Sequence, residues 1–410
     1  MLAFEGLPPS EQAKLFIDIN AEQKAVKQSL LIELYAELHW DAKEPAIRVR
    51  AVVSKAIQTL ESEPDSPFYQ RILMSDSDKN LIRCISITSL SRALDKPGFY
   101  IVTEKKGTVL EFGPLWESGS NEATRKRTVF ILKNWFNIIR SSAPDWWDAG
   151  SGEGGGLAMN DGVAACMNVL RSVFQHLDAT GNKLILLNDE ALLKQLQPYA
   201  EILGNHLASL SPEERKDFRD LRGVQGQLTR THRCQQAIHR ALPSFNPSGL
   251  KEFIETEQAN TSSQAKVMIE RIEKVLQKTV IEELQREFGG DESKWWTLGV
   301  PKSVRVKVTT RFEEENGEQG GRECYFDLAD YKQIAVDNWD IFEPLLAYGK
   351  TGNKDKRISW ISEVNEMKRL VSNSSGSVSI SFEQLNKLEQ YDQWLSTQIA
   401  GGDNTGVNQL

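Results

Sequence analysis

Cysteine is scarce in this chain, and so is histidine. The four cysteines, Cys84, Cys166, Cys234 and Cys324, are widely separated and form no C-x-x-C pair. That spacing argues against a disulfide-stapled fold and against a zinc site, and four reduced, mostly buried thiols are expected. The five histidines, His39, His176, His206, His232 and His239, make no H-x-x-x-H or H-E-x-x-H pattern. No dedicated metal site and no cofactor are therefore expected. Long apolar runs are missing as well: none approaches the ~20 residues that span a bilayer. Met1-Leu2-Ala3-Phe4 passes at once into acidic, helical sequence rather than a leader, so the chain is expected to be cytoplasmic and to make no membrane contact.

Positive charge is not in excess either. The net charge is −8, and it is uneven: residues 249–410 carry 20 Lys and Arg against 27 Asp and Glu, which leaves −1 for residues 1–248. An acidic surface repels phosphates, so nucleic acid is better met by the first part than by the last. A hydrophobic share of 40% and a charged share of 26% are ordinary for a globular protein, and 410 residues suit two or three domains.

Helical periodicity dominates what is present. Near the start, Pro8-Pro9-Ser10-Glu11-Gln12 opens a helix on which Ala13, Phe16, Ile17 and Asn20 share a face. Leu30–Leu38 and 44–61 predict two more helices. Phe68–Met74, Ile85–Leu90 and Phe99–Val102 read as short strands. Helices are predicted over 122–140, 157–177 and 188–203, and again from Pro212. Gly150-Ser151-Gly152-Glu153-Gly154-Gly155-Gly156 precedes one of these, which invites a phosphate-binding reading. With no G-x-x-x-x-G-K-[ST] pattern and no preceding strand, a flexible loop is the expected role.

Residues 215–240 are basic. Arg215, Lys216, Arg219, Arg222, Arg230, Arg233 and Arg240 stand against Asp217 and Asp220, with Gln225 and Gln227 between them. Guanidinium forks and glutamine amides suit phosphates and base edges, which makes Lys216, Arg219, Arg222, Gln225, Gln227, Arg230, Arg233 and Arg240 candidate nucleic-acid contacts. The alternative is a solvated or internally paired charge run.

Pro243-Ser244-Phe245-Asn246-Pro247-Ser248-Gly249 punctuates the chain as a domain boundary. Beyond it almost everything reads helical. A long stripe runs from Val267 through Ile269, Ile272, Val275, Leu276, Val280 and Leu284 to Phe288, ended by Gly289-Gly290. Val304, Val308 and Phe312 satisfy helical spacing behind Pro301, although Val304–Val308 also alternates like a strand. Further helices are predicted over 327–346 and 357–373 and from Phe382 onward. Trp339, Phe342, Leu388 and Trp394 are expected to be buried together.

The expected fold is thus mainly α. It comprises a small α+β part over 1–110, a helical middle region over 111–247 carrying the basic segment, a helical bundle over 248–400 and a disordered tail over 401–410.

Two stretches resemble known families. Phe4-Glu5-Gly6-Leu7, followed by Leu15-Phe16-Ile17-Asp18-Ile19-Asn20-Ala21-Glu22-Gln23-Lys24-Ala25-Val26, resembles the DGQHR-domain family. These are ParB/sulfiredoxin-like proteins of bacterial DNA-modification and phage-defence loci. The Asp-Gly-Gln-His-Arg pentapeptide itself is absent, so the resemblance implies a truncated or split member without the phosphate-binding half. It also implies ligand-facing roles for Asp18, Asn20 and Gln23 if a partner chain from the same locus supplies that half; otherwise Asn20 simply caps its helix.

The C-terminal part resembles a HEPN domain through Asp327-Leu328, Ile334, Asn338-Trp339 and Phe342, and again through Trp360, Val364 and the Lys368–Asn373 stretch. Catalytic HEPN ribonucleases carry R-N-x-x-x-H at the last of these places. Here Lys368, Arg369 and Asn373 stand in its three positions. Asparagine moves no proton at neutral pH, so the resemblance implies a catalytically silent bundle serving folding or homodimerisation. The implied function is a non-enzymatic module binding DNA, RNA, a partner protein or a combination of these. A nucleotide hydrolase or nuclease completed by another chain, and a scaffold or antitoxin-like partner, are the alternatives.

Overall fold

The computed structural model describes residues 11, 27–104, 108–372 and 380–402. Asp18, Asn20, Gln23 and Asn373 lie outside the described residues, as do Met1–Leu7, the 13–20 helical face and positions 403–410 of the expected tail. The chain is mainly α-helical and divides into two units, Met1–Lys251 and Glu252–Leu410. Among the described residues, no helix is long and apolar enough to cross a membrane.

In the first unit, α1 (Gln28–His39) lies against α2 (Pro45–Ser62), joined by the Ser54 hydroxyl, which donates to the Ile32 carbonyl at 2.5 Å. Val49, Val53, Ile57 and Leu60 give α2 its buried stripe, as the spacing predicts.

The strand expectations need correction. Of 68–74, only β1 (Ile72–Leu73) is extended, because Tyr69–Arg71 turn on the carbonyls of Ser66 and Phe68. β1 pairs in parallel with β2 (Ile85–Ser86). Ser86 then caps a helix, α3 (Ile87–Leu94), by accepting the Ser89 amide at 3.1 Å. Ile87, Leu90 and Leu94, three and four apart, bury one face; that spacing outweighs the strand-like alternation of 85–88. β3 (Ile101–Thr103) pairs antiparallel with β4 (Val109–Phe112), a strand the sequence pattern does not announce. Among the described residues these form two separate two-stranded sheets.

Ser120 caps α4 (Asn121–Ser142), and the short α5 (Pro144–Asp148) follows. Then come α6 (Asn160–Ala179), a 3₁₀ turn at Leu184–Leu186, α7 (Asp189–Ser209), α8 (Pro212–Asp220) and α9 (Gly223–Ala241). α7 continues past the predicted end at 203 to Ser209 because Leu203 and Leu207 extend its buried stripe. One core joins these elements, with Phe68, Phe136 and Trp147 packed edge-on at its centre. Phe99 and Tyr100 share it with Leu115 and Trp116, so residues on both sides of position 110 contribute to one core.

In the second unit, α10 (Leu250–Phe288) buries Ala265, Ile269, Ile272, Leu276, Val280 and Leu284, while Val267 stays more than half exposed. Gly289 ends the helix at φ +97°, its amide held by the Gln285 carbonyl. α11 (Glu292–Gly299) and α12 (Lys302–Glu314) follow, so Val304–Val308 is helical. The expected 327–346 helix is two, α13 (Leu328–Asp337) and α14 (Trp339–Leu346). They break at Asn338, whose amide donates to the carbonyls of Gly299 and Ile334. α15 (Lys354–Ser372) and α16 (Phe382–Gly402) complete the unit. Phe342 and Leu388 are fully buried, but Trp339 and Trp394 are only half-buried; the buried tryptophan between them is Trp360.

Candidate nucleic-acid interface

The basic segment forms α8 and α9. Ser211 and Glu214 close a capping box at the start of α8, which fixes where Arg215, Lys216 and Arg219 project. Arg230 is not available to a ligand. Its side chain is 1% exposed, Nε donates to the Phe218 carbonyl at 2.8 Å and Nη2 to the Leu221 carbonyl at 2.9 Å. It thus satisfies carbonyls at the C-terminal end of α8, where a cation suits the helix dipole. Burial pushes its pKa down, against the pull of Asp161. Gln227 is engaged at both ends, accepting from Arg230 and donating to the Asp161 carbonyl.

Arg219 reaches the glycine-rich loop. It donates to the carbonyls of Gly152 (2.7 Å), Ser151 (2.9 Å) and Gly155 (3.3 Å). Three of the loop's amides are taken internally: Gly152 to Ala149, Gly155 to Gly152, and Ser151 to the Leu81 carbonyl at 2.8 Å. A loop that offers carbonyls to a cation has the opposite polarity to an anion nest. That polarity speaks against the phosphate reading, and the three bonds from Arg219 tie the loop to α8 where a flexible loop is expected. Arg215 donates to the Ala208 carbonyl and lies over the Trp146 ring. Arg233 is half-buried. Lys216, Arg222, Gln225 and Arg240 remain exposed. Gln225 and Arg240 sit on one helix about 22 Å apart at ~1.5 Å rise per residue, so these four do not converge on one spot.

Convergence occurs elsewhere, where no local spacing announces it. The Leu81 carbonyl held by Ser151 belongs to Asn80–Arg83, a turn fixed by the Asn80 side chain, which accepts the amides of Ile82 (2.9 Å) and Arg83 (2.6 Å). This turn forms one wall of a cleft of about 720 Å³. Arg71, Arg83 and Arg140 line the cleft together with Tyr69, Gln70 and Asn80. Arg71 is buried and donates to Asp148 (2.6 Å) and the Trp147 carbonyl (3.2 Å). Arg140 lies 3.1 Å from the same carboxylate. Burial lowers the Arg71 pKa; Asp148 opposes that and Arg140 adds to it. Arg83 makes only a long contact with Glu61 (3.6 Å), and its buried Nε has no hydrogen-bond partner among the described residues. Cys84, just behind, donates to the Ala158 carbonyl, and burial raises its pKa, so it is a packing thiol rather than a nucleophile.

In the second unit Lys368 pairs with Glu273 at 2.6 Å and Arg369 with Glu366 at 3.1 Å. No histidine follows His239 in the sequence. Among the described residues, no three His, Cys, Asp or Glu side chains gather to hold a metal ion. Comparison of the chain with protein-family models, with curated proteins and with solved structures finds no match.

Proposed function

We propose that this chain is a nucleic-acid-binding module without catalysis of its own, and that it meets phosphates at the arginine-lined cleft of its first unit. One observation carries the reading: three arginines, Arg71, Arg83 and Arg140, line one cleft, and between them they pair with two carboxylates, Asp148 and Glu61. A phosphate supplies the missing negative charge and suits the guanidinium fork. The wider proposal is a DGQHR-like component of a bacterial DNA-modification or phage-defence system. A partner chain from its locus would complete it, and a silent HEPN-like bundle would serve folding or homodimerisation.

The test is salt-dependent binding. The double variant Arg83→Gln, Arg140→Gln is expected to bind oligonucleotides more weakly. Its log–log salt slope should be shallower by roughly 0.7 per lost contact on a single strand and roughly 0.9 on a duplex. An unaltered slope, in a variant with an unaltered urea midpoint, would remove the cleft from the reading.

Catalytic silence is tested separately. The purified chain is expected to leave RNA intact with or without divalent metal, since the C-terminal unit has no imidazole for a proton transfer that is typically worth ~10²–10⁴ in rate. His239, in the first unit, is engaged with the Phe245 carbonyl at 2.9 Å. Cleavage that disappears in His232→Ala or His239→Ala would revive the nuclease alternative.

A further inference from the structure

Resting on the cleft as a nucleic-acid site, we infer that it takes an unpaired nucleotide of a single strand, stacking the base on Tyr69 with the phosphate toward Arg83 and Arg140. Three independent features point there. Tyr69 is 38% exposed at the cleft and makes no ring contact among the described residues. The Gln70 amide donates to its hydroxyl at 3.1 Å, which restrains the ring before any ligand arrives.

Gln70 itself has φ +52°, one of two non-glycine residues with positive φ among those described. A side chain held in the left-handed region stores strain, and such strain gathers at ligand sites. Its amide is fixed by the Glu61 carbonyl at 3.0 Å, so the neighbouring backbone enforces the geometry.

The third feature is the chemistry of the remaining wall. Leu81 and Ile82 are exposed apolar side chains in the same cleft, 63% and 39% accessible. An aromatic ring and apolar side chains in one cleft, with arginines beside them, match the two halves of a nucleotide: a flat base and a charged phosphate. The volume falls within the ~300–1,000 Å³ typical of small-ligand pockets. A duplex keeps its base faces stacked inside and has nothing to lay on Tyr69. Only an unpaired base presents a face, and stacking accepts any base.

The experiment titrates the full chain, by fluorescence anisotropy, with labelled oligothymidylate of about 16 nucleotides, the upper end of common single-strand site sizes. Oligouridylate of the same length and the duplex of the DNA strand with oligoadenylate are run alongside, with inorganic phosphate as competitor. Single strands are expected to bind more tightly than the duplex. Tyr69→Ala and Tyr69→Leu should weaken single-strand binding by roughly 5- to 150-fold, the range for one stacked base, and leave duplex binding unchanged. Tyr69→Phe keeps the ring but loses the Gln70 bond that restrains it, so it should bind more weakly than the parent and more tightly than Tyr69→Leu; the two single strands show whether the sugar matters. Equal or tighter duplex binding, undiminished single-strand binding by Tyr69→Leu, or full competition by phosphate alone would overturn the inference. If the arginine variant still lost affinity in those cases, the cleft would stand as a phosphate site; no binding of any oligonucleotide would sink both.

Discussion

Replacing Arg127 with methionine is expected to destabilise the first unit by ~3–5 kcal/mol, the effect of removing one partner from a buried ionic network. Its side chain is fully buried on α4. Nε donates to the Pro114 carbonyl at 2.6 Å and Nη2 to the Leu184 carbonyl at 3.2 Å. Nη1 meets Glu117 (2.7 Å), the Leu187 carbonyl (2.8 Å) and Asp189 (3.1 Å). One guanidinium thus ties the approach to α4 to the 3₁₀ turn and the start of α7. Methionine fills much of the volume but leaves three carbonyls and two carboxylates without their donor. The carboxylates are each 37% exposed and can find water, so the carbonyls dominate the loss. Lysine should fall between the two, because a single ammonium cannot span five acceptors. Urea unfolding with an unchanged m-value is the measurement. A loss below about 1 kcal/mol would make the network a bystander, since domains have only ~5–15 kcal/mol in hand.

The second large effect belongs to Trp360. Trp360→Ala is expected to destabilise the second unit by ~3–5 kcal/mol, as for a buried tryptophan reduced to a methyl. The ring is 1% exposed, its Nε1 donates to the Leu346 carbonyl at 2.9 Å, and it packs on Trp394 (5.3 Å) and Tyr391 (5.7 Å). Tyr348 lies 5.0 Å from each of those two rings and closes the cluster. Trp360→Phe keeps a ring but strands the Leu346 carbonyl, so it should lie between. Near-UV circular dichroism follows the cluster and urea unfolding gives the energy. If half-buried Trp339→Ala proved more damaging than Trp360→Ala, the centre of this core would be misplaced.

Helices are the legible part of this chain because their signal is local. Val304, Val308 and Phe312 show their face by spacing alone, and Gly289 marks an end by its conformation. Misreadings arise where two local signals compete or where a distant partner decides. Ile85–Leu90 alternates like a strand, yet Ser86 can cap, and a cap followed by Ile87, Leu90 and Leu94 makes a helix. The basic segment shows the limit most clearly. Charge counts cannot say that Arg219 and Arg230 end on backbone carbonyls, because those acceptors come from tertiary packing and helix termini. Likewise Arg71 and Asp148 stand 77 residues apart, so no motif could have joined them, and the cleft that Arg71 lines had no sequence signal at all.

Five glycines in the seven residues 150–156 would ordinarily mark the place to splice in a tag or to expect a protease to nick the chain. The Arg219 clamp reverses that expectation. A Cβ on Gly150 would meet the Leu81 carbonyl oxygen at 2.2 Å, and one on Gly155 the Gly150 carbonyl oxygen at 2.3 Å. Only Glu153 and Gly154 are exposed in this stretch. Here glycine allows dense packing on both sides of the exposed Glu153–Gly154 tip, the one part of the loop where a Cβ, on Gly154, would meet nothing within 4 Å. Open space alone does not make a site permissive: a Cβ on the exposed Gly119 or Gly181 would also meet nothing within 4 Å, yet at φ +86° and +91° each holds a backbone conformation that a side chain would strain.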